Sequence, residues 1–335
     1  MATVFKNLLS NDVATTRTLL NEAIPLTGTI VSGTYSDLNI QNYQHGMFQS
    51  VYDYPVLSSS ANHIFDLTYG YSDSLNDSTN TMNSKKRNIY NQMAQVLVGY
   101  DETGSIRKFD RDGDLTGGDK LDACVFINFA RLLTKDEIKK GSFSLTLQSD
   151  GILPGEKTIA DHGAENDYRV NSPAGEFGIL YTSSAPIVPG SGVGLLYYQA
   201  GVAVLSASTD IIESASFFTG STTLTEGREA WNISGTCDYM RHIWENDLFN
   251  NTTELNSTIY FCRINNNEFN YSSNPTYLSG SRITVKQTRD DNPVSYITTV
   301  GLYSADNELL AVAKVSEPLK KDPTNELTLR VRLDY

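Results

Sequence analysis

Charge is the first thing this chain has little of. Only 19% of its 335 residues are Asp, Glu, Lys or Arg, against about a quarter in ordinary globular proteins. The charge present leans one way: 26 Lys and Arg face 39 Asp and Glu, a net of −13. That argues against sequence-independent binding of nucleic acid, because phosphate contacts need clustered Lys and Arg. It also keeps a free subunit soluble. Cysteine is scarce and odd in number, with Cys124, Cys237 and Cys262 and no C-x-x-C pair. A disulfide framework and a cysteine zinc site are both disfavoured, which leaves free buried thiols. No apolar run approaches the roughly 18 residues of a membrane span, and no secretory leader is recognisable. The expectation is a soluble chain without a membrane partner, made in a reducing cytoplasm. The N-x-S/T sequons at Asn76, Asn232, Asn251 and Asn256 then follow from a composition rich in Asn, Ser and Thr.

Catalytic signatures are missing too. His45, His63, His162 and His242 stand outside any HExxH or Cys/His grouping. There is no G-x-S-x-G elbow and no G-x-x-x-x-G-K-[ST] cradle. Gly190-Ser191-Gly192-Val193-Gly194 reads as a loop. Asp110-Arg111-Asp112-Gly113-Asp114 begins like a calcium-binding EF-hand loop, with carboxylates at alternate positions. The sixth position is Leu115 where a glycine is required, and the twelfth is Leu121 where a bidentate Glu belongs. The sequence therefore reads as an acidic turn. We expect no enzyme, no cofactor and no resident metal.

What is present is β-forming: 19 Tyr and 13 Phe against only 10 Pro. The last strand, 327–333, alternates cleanly. Leu327, Leu329, Val331 and Leu333 share one face; Thr328, Arg330 and Arg332 share the other. The run 296–315, broken by the turn residues Ser304 to Asn307, reads as a hairpin. Glu317-Pro318 and Asp322-Pro323 read as bracketing a second turn. Further strands are expected at 26–33, 64–70, 124–129, 143–147, 178–181, 194–198, 201–205 and 260–264, and residues 150–178 read as irregular. Helices are expected at 85–98, with Ile89, Met93, Val96 and Leu97 inward, and at 238–249, with Met240, Ile243, Trp244 and Leu248 inward. One helical turn is expected at 135–140.

The fold class expected is mainly β (α+β), with antiparallel sandwich-like layers and two or three short helices. Its parts would be an N-terminal arm or helix at 1–24, a β-rich region at 25–120 carrying the helix, a central β-rich domain at 121–256, and an antiparallel β domain at 257–335. Aromatic rings crowd 35–54: Tyr35, Tyr43, Phe48, Tyr52 and Tyr54. They suit either a partner surface or the tyrosine-lined edge of a core.

Two groups of phrases resemble known proteins. One is Asn21–Tyr35 (NEAIPLTGTIVSGTY) with His45–Pro55 (HGMFQSVYDYP) and Ser58–His63 (SSSANH). The other is Glu268–Tyr277 (EFNYSSNPTY) with Tyr296–Tyr303 (YITTVGLY) and Glu308–Lys314 (ELLAVAK). Both are similar to virion structural proteins of large contractile-tailed, T-even-like phages, especially those of marine bacteria. The resemblance implies a particle component: a tail or baseplate assembly protein, or alternatively a neck, fibre-attachment or receptor- and glycan-binding tail appendage. It implies other virion proteins as partners, a homo-oligomer or symmetric ring, and a place in the virion. The interface residues it brings forward are Tyr35, Tyr43, His45, Phe48, Tyr52, Tyr54, Phe269, Tyr271 and Tyr277.

Overall fold

The computed structural model describes residues 5–26, 37–74, 81–147, 156–182, 190–207, 231–272, 274–280, 282–283, 288 and 290–335. Tyr35 and nearly all of the strand expected at 26–33 lie outside them. Strands form where β-branched and aromatic residues concentrate. They are β1 (Val13–Leu26), β2 (Ile40–Asn42), β3 (Gln49–Tyr52), β4 (His63–Tyr71) and β5 (Ala123–Phe129). Next come β6 (Glu137–Ile138), β7 (Ser144–Leu147), β8 (Lys157–Ala160), β9 (Arg169–Ser172), β10 (Gly175–Thr182), β11 (Gly194–Tyr197) and β12 (Val202–Ser206). The chain closes with β13 (Trp244–Ile264), β14 (Leu278–Ser279), β15 (Arg282–Ile283), β16 (Ser295–Tyr303), β17 (Leu309–Lys321) and β18 (Leu327–Asp334). The helices are α1 (Thr81–Leu97), α2 (Arg131–Thr134) and α3 (Ile233–Ile243). The fold is mainly β, as expected. No helix among the described residues is long and apolar enough to cross a membrane.

The chain divides into two units: a core unit, Leu20–Thr253, and a terminal unit, Met1–Leu19 with Glu254–Tyr335. In the core unit the strands pair in the order β13-β7-β8-β10-β11-β12-β5-β4-β3-β2, with β6 also on β13 and β9 also on β10. β5, β11 and β12 are almost wholly buried, and α1 and α3 pack against β4, the neighbour of β5. On one face Gly70 of β4 meets α1 so closely that a Cβ there would sit 2.7 Å from the Lys86 carbonyl oxygen and 2.8 Å from the Tyr90 nitrogen. On the other face Gln49 donates to Ser234 Oγ (3.2 Å) and Asp238 Oδ1 (3.0 Å) of α3. There Phe65 stacks on Trp244 with centroids 4.6 Å apart.

Several local expectations change. The N-terminal stretch, with Thr15, Thr16 and Thr18 stiff at χ1, is a strand paired to β13 and exposed along most of its length. α1 buries Lys86, Ile89, Tyr90, Ala94 and Leu97, while Val96 is exposed. The close contact at Gly70 turns the helix so that Tyr90 and Ala94 face inward. Lys86 extends its stem inward and donates to the Trp231 carbonyl at 2.9 Å, above the Tyr71 ring. The second helix starts earlier, capped by the Asn232 side chain on the Gly235 nitrogen. It ends where Trp244 enters β13, so Leu248 alternates outward on a strand. The helical turn expected at 135–140 is displaced to α2, because Lys135 takes a φ of +54. Residues 150–178 contain β8, β9 and the start of β10.

In the terminal unit β18 pairs antiparallel with residues 257–264 of β13, and its alternation holds: Leu327, Leu329, Val331 and Leu333 are turned in. β16 and β17 form the expected hairpin. Glu317-Pro318 lies inside β17, where the register slips between Ile297 and Thr299. A bulge leaves the proline without a ladder bond to make, so only the turn at 322–325 remains. The three cysteines are free, with Cys262 only half-buried.

The Gly70 contact gives a test. Gly70→Ala forces α1 away from backbone atoms that cannot rotate aside, at a cost of about 1–3 kcal/mol or more. Thermal melting of the variant should fall by several degrees; an unchanged melt would mean that α1 is not seated on β4.

Candidate interaction surfaces

In the core unit the loop after β2 turns at Gly46, with φ +61 and a bond from its nitrogen to the Tyr43 carbonyl at 2.9 Å. The turn stacks three of the expected interface rings. Tyr43 and His45 lie parallel at 5.2 Å, and Phe48 closes on them at 4.8 and 5.1 Å. His45 is exposed; Tyr43 and Phe48 are half-buried. Lys85 of α1 donates to the His45 carbonyl at 2.8 Å, and Thr68 of β4 donates to that of Met47. The Met47 nitrogen donates to His45 Nδ1 at 3.0 Å, so that nitrogen is the unprotonated one. The cluster is therefore tied to a helix and a strand instead of waving on a free loop.

Beside it, register pairs Tyr52 with His63 and Ser50 with Asp66 across β3 and β4. The Tyr52 and His63 rings meet edge to face at 5.5 Å. Asp66 Oδ1 accepts from His63 Nε2 at 2.8 Å and from Ser50 Oγ at 2.5 Å. The Tyr43 hydroxyl lies 3.4 Å from Ser50 Oγ, linking the two groups. The hydrogen bond to Asp66 raises the His63 pKa above its ordinary value against the effect of burial. Burial would raise Asp66, but the bonds from His63 and Ser50 outweigh it and hold the carboxyl below the usual range. Burial, Tyr43 and Asp66 all raise the Tyr52 hydroxyl. The chain of contacts runs Ser–Asp–His. The array is joined at one oxygen, Asp66 Oδ1, which accepts from both side chains. It offers a polar floor beside an aromatic patch. Tyr54 stands apart and is 55% exposed.

In the terminal unit Phe269 is exposed with φ +52, and its carbonyl accepts from Ser295 Oγ. Tyr271 and Tyr277 are half-buried. The Tyr277 hydroxyl accepts from the Tyr296 nitrogen at 3.2 Å. Lys321 was not singled out by the sequence. It is fully buried and donates to the Asn266 carbonyl (3.1 Å), Asn270 Oδ1 (2.6 Å) and the Asp322 carbonyl (2.8 Å). One lysine thus ties the 266–270 loop to the end of β17.

The β16–β17 hairpin was also missed as a surface. Leu309, Leu310 and Val312 are 53, 68 and 54% exposed, and Tyr296 and Tyr303 also face outward. Val300, Leu302, Ala311, Ala313 and Val315 share the opposite, half-covered face. Both faces carry apolar side chains, where a hairpin with one wet face would alternate apolar with polar. The available signal was apolar residues at both odd and even positions of 309–313. Among the described residues, the hydrophobic core cluster runs from Leu26 to Phe249 and includes no residue of the terminal unit.

One group of carboxylates among the described residues, Asp110, Asp112 and Asp114, converges closely enough to hold a metal ion. Compared with family models, with curated proteins and with solved structures, the chain matches none.

His63 supplies a pH test. Its raised pKa means that the contact with Asp66 contributes fully below the unfolded histidine value near 6.5 and is lost as pH rises through the folded value. The ring resonances of His63, assigned by their loss in His63→Gln, should titrate above pH 6.5 and move down towards it in Asp66→Asn. Equal midpoints in the two proteins would sink the pairing.

Proposed function

We propose that this chain is a structural component of a tailed-phage virion, a tail or baseplate assembly protein that acts through protein–protein contacts. The observation that carries the reading is that no described residue of the terminal unit belongs to the main hydrophobic core cluster, with only Ile259, Ile264 and Val331 buried among its apolar side chains. A two-stranded hairpin alone is marginal in water, and this one presents Leu309, Leu310, Val312 and Tyr303 to solvent. Such surface is characteristic of subunits completed by neighbours. The phrases that resemble phage virion proteins overlap this hairpin and the 268–277 loop, which adds sequence support. Other virion proteins and further copies of the chain are the partners that fit.

A second reading is a receptor- or glycan-binding tail appendage. The stacked Tyr43, His45 and Phe48 rings favour it, because flat aromatic faces beside polar groups suit ligand capture. Glycan-array binding that is lost in Tyr43→Ala would support this second reading; absence of binding would remove it.

The assembly reading is tested with Leu310→Asp and Val312→Asp. Both residues are exposed, so each change should leave the melting of the isolated chain within about 0.5 kcal/mol of the parent. Phage particles carrying the double variant should lack complete tails by electron microscopy. Normal tails would refute a role for the hairpin in assembly.

A further inference from the structure

The segment between Phe109 and Leu121 forms a closed loop. The Leu121 nitrogen donates to the Phe109 carbonyl at 2.9 Å, and the Arg111 nitrogen to the Asp119 carbonyl at 3.1 Å. The Tyr90 hydroxyl clamps both ends, accepting from the Phe109 nitrogen at 3.2 Å and donating to the Leu121 carbonyl at 2.8 Å. Within the loop, carboxylate oxygens of Asp110, Asp112 and Asp114 all lie within 4.8 Å of one another. Acidic residues gathered on a loop are common and prove nothing alone.

The independent observation is Asp110. It is fully buried, and its Oδ1 has no hydrogen-bond partner. Its Oδ2 lies 2.9 Å from Lys120 Nζ, an ion contact without hydrogen-bond alignment. A Cβ placed on Gly118 would lie 3.5 Å from Asp110 Oδ1 and 3.3 Å from Asp112 Oδ2, so the glycine leaves open the space onto which both oxygens look. Three carboxylates meet one ammonium there, a local charge of −2 by subtraction. A buried carboxylate oxygen with neither donor nor cation is costly.

We infer that this loop binds a calcium ion through the carboxylates of Asp110, Asp112 and Asp114. The donors are all oxygen and include no His or Cys, which selects a hard cation over zinc. The objection raised by Leu115 at the sixth position falls away, because Leu115 adopts φ +65, the left-handed turn that a glycine would otherwise supply. The objection raised by Leu121 stands as a statement about strength. It is buried and supplies no oxygen, so water completes the shell and affinity belongs in the weak range, about 0.1–1 mM.

The test uses the full chain. Equilibrium dialysis should find one calcium ion per chain with a dissociation constant of about 0.1–1 mM. Melting in 10 mM calcium should exceed that in EDTA by about 3 °C or more. Asp112→Asn and Asp114→Asn should each weaken binding at least about tenfold, since each removes a ligand charge. Asp114 is exposed, so its variant should fold even if Asp112→Asn does not. No ion bound at 10 mM, or binding unchanged in Asp114→Asn, would overturn the site. An equal shift with magnesium would overturn the choice of calcium.

Discussion

The closeness of α1 to β4 at Gly70 is the constraint from which most of the core unit follows. With no Cβ between them, the helix backbone rests on the strand, and the sheet beside it is sealed on that face. Tyr90 then reaches across to Phe109 and Leu121 and closes the acidic loop. Lys85, on the same helix, holds the carbonyl of His45 and with it the aromatic turn. One helix thus orients two features that are far apart in sequence, and a shift of that helix would disturb both.

The two units differ in what holds them together. The core unit has a contiguous apolar interior from Leu26 to Phe249, the ordinary basis of stability. The described residues of the terminal unit rely on ladder bonds, on ion pairs such as Arg263 with Asp12 at 2.8 Å, and on the buried ammonium of Lys321. Ion pairs with an exposed partner add little, and backbone bonds merely replace those made to water. Leu309, Leu310 and Val312 of its hairpin remain at the surface, where burial against another chain would yield the largest gain.

The acidic loop and the Ser50–Asp66–His63 contact show two outcomes for carboxylates near a core. Asp66 finds two donors and is held ionised. Asp110 finds one cation on one oxygen and is pushed up by burial against the pull of Lys120. The difference is the number of donors that the local backbone brings within reach.

Much of this was legible in the residues alone. The alternation of 327–333, the apolar run at 124–129, the hairpin around Ser304–Asn307 and the mainly β class follow from side-chain period and turn chemistry, which are local properties. The orientation of α1 was legible in part. Ile89 and Leu97 are buried and Met93 packs against the core, but Val96 is exposed, and the burial of Tyr90, Ala94 and Lys86 depends on contact with a glycine 16 residues before Lys86. The N-terminal strand depends on pairing with β13, more than 200 residues away. Likewise nothing local distinguishes Lys321, buried against three oxygens, from Lys320 beside it, which is exposed. Period and propensity act over a few residues; which face meets which partner is a matter of long-range packing, and the tertiary structure alone settled it.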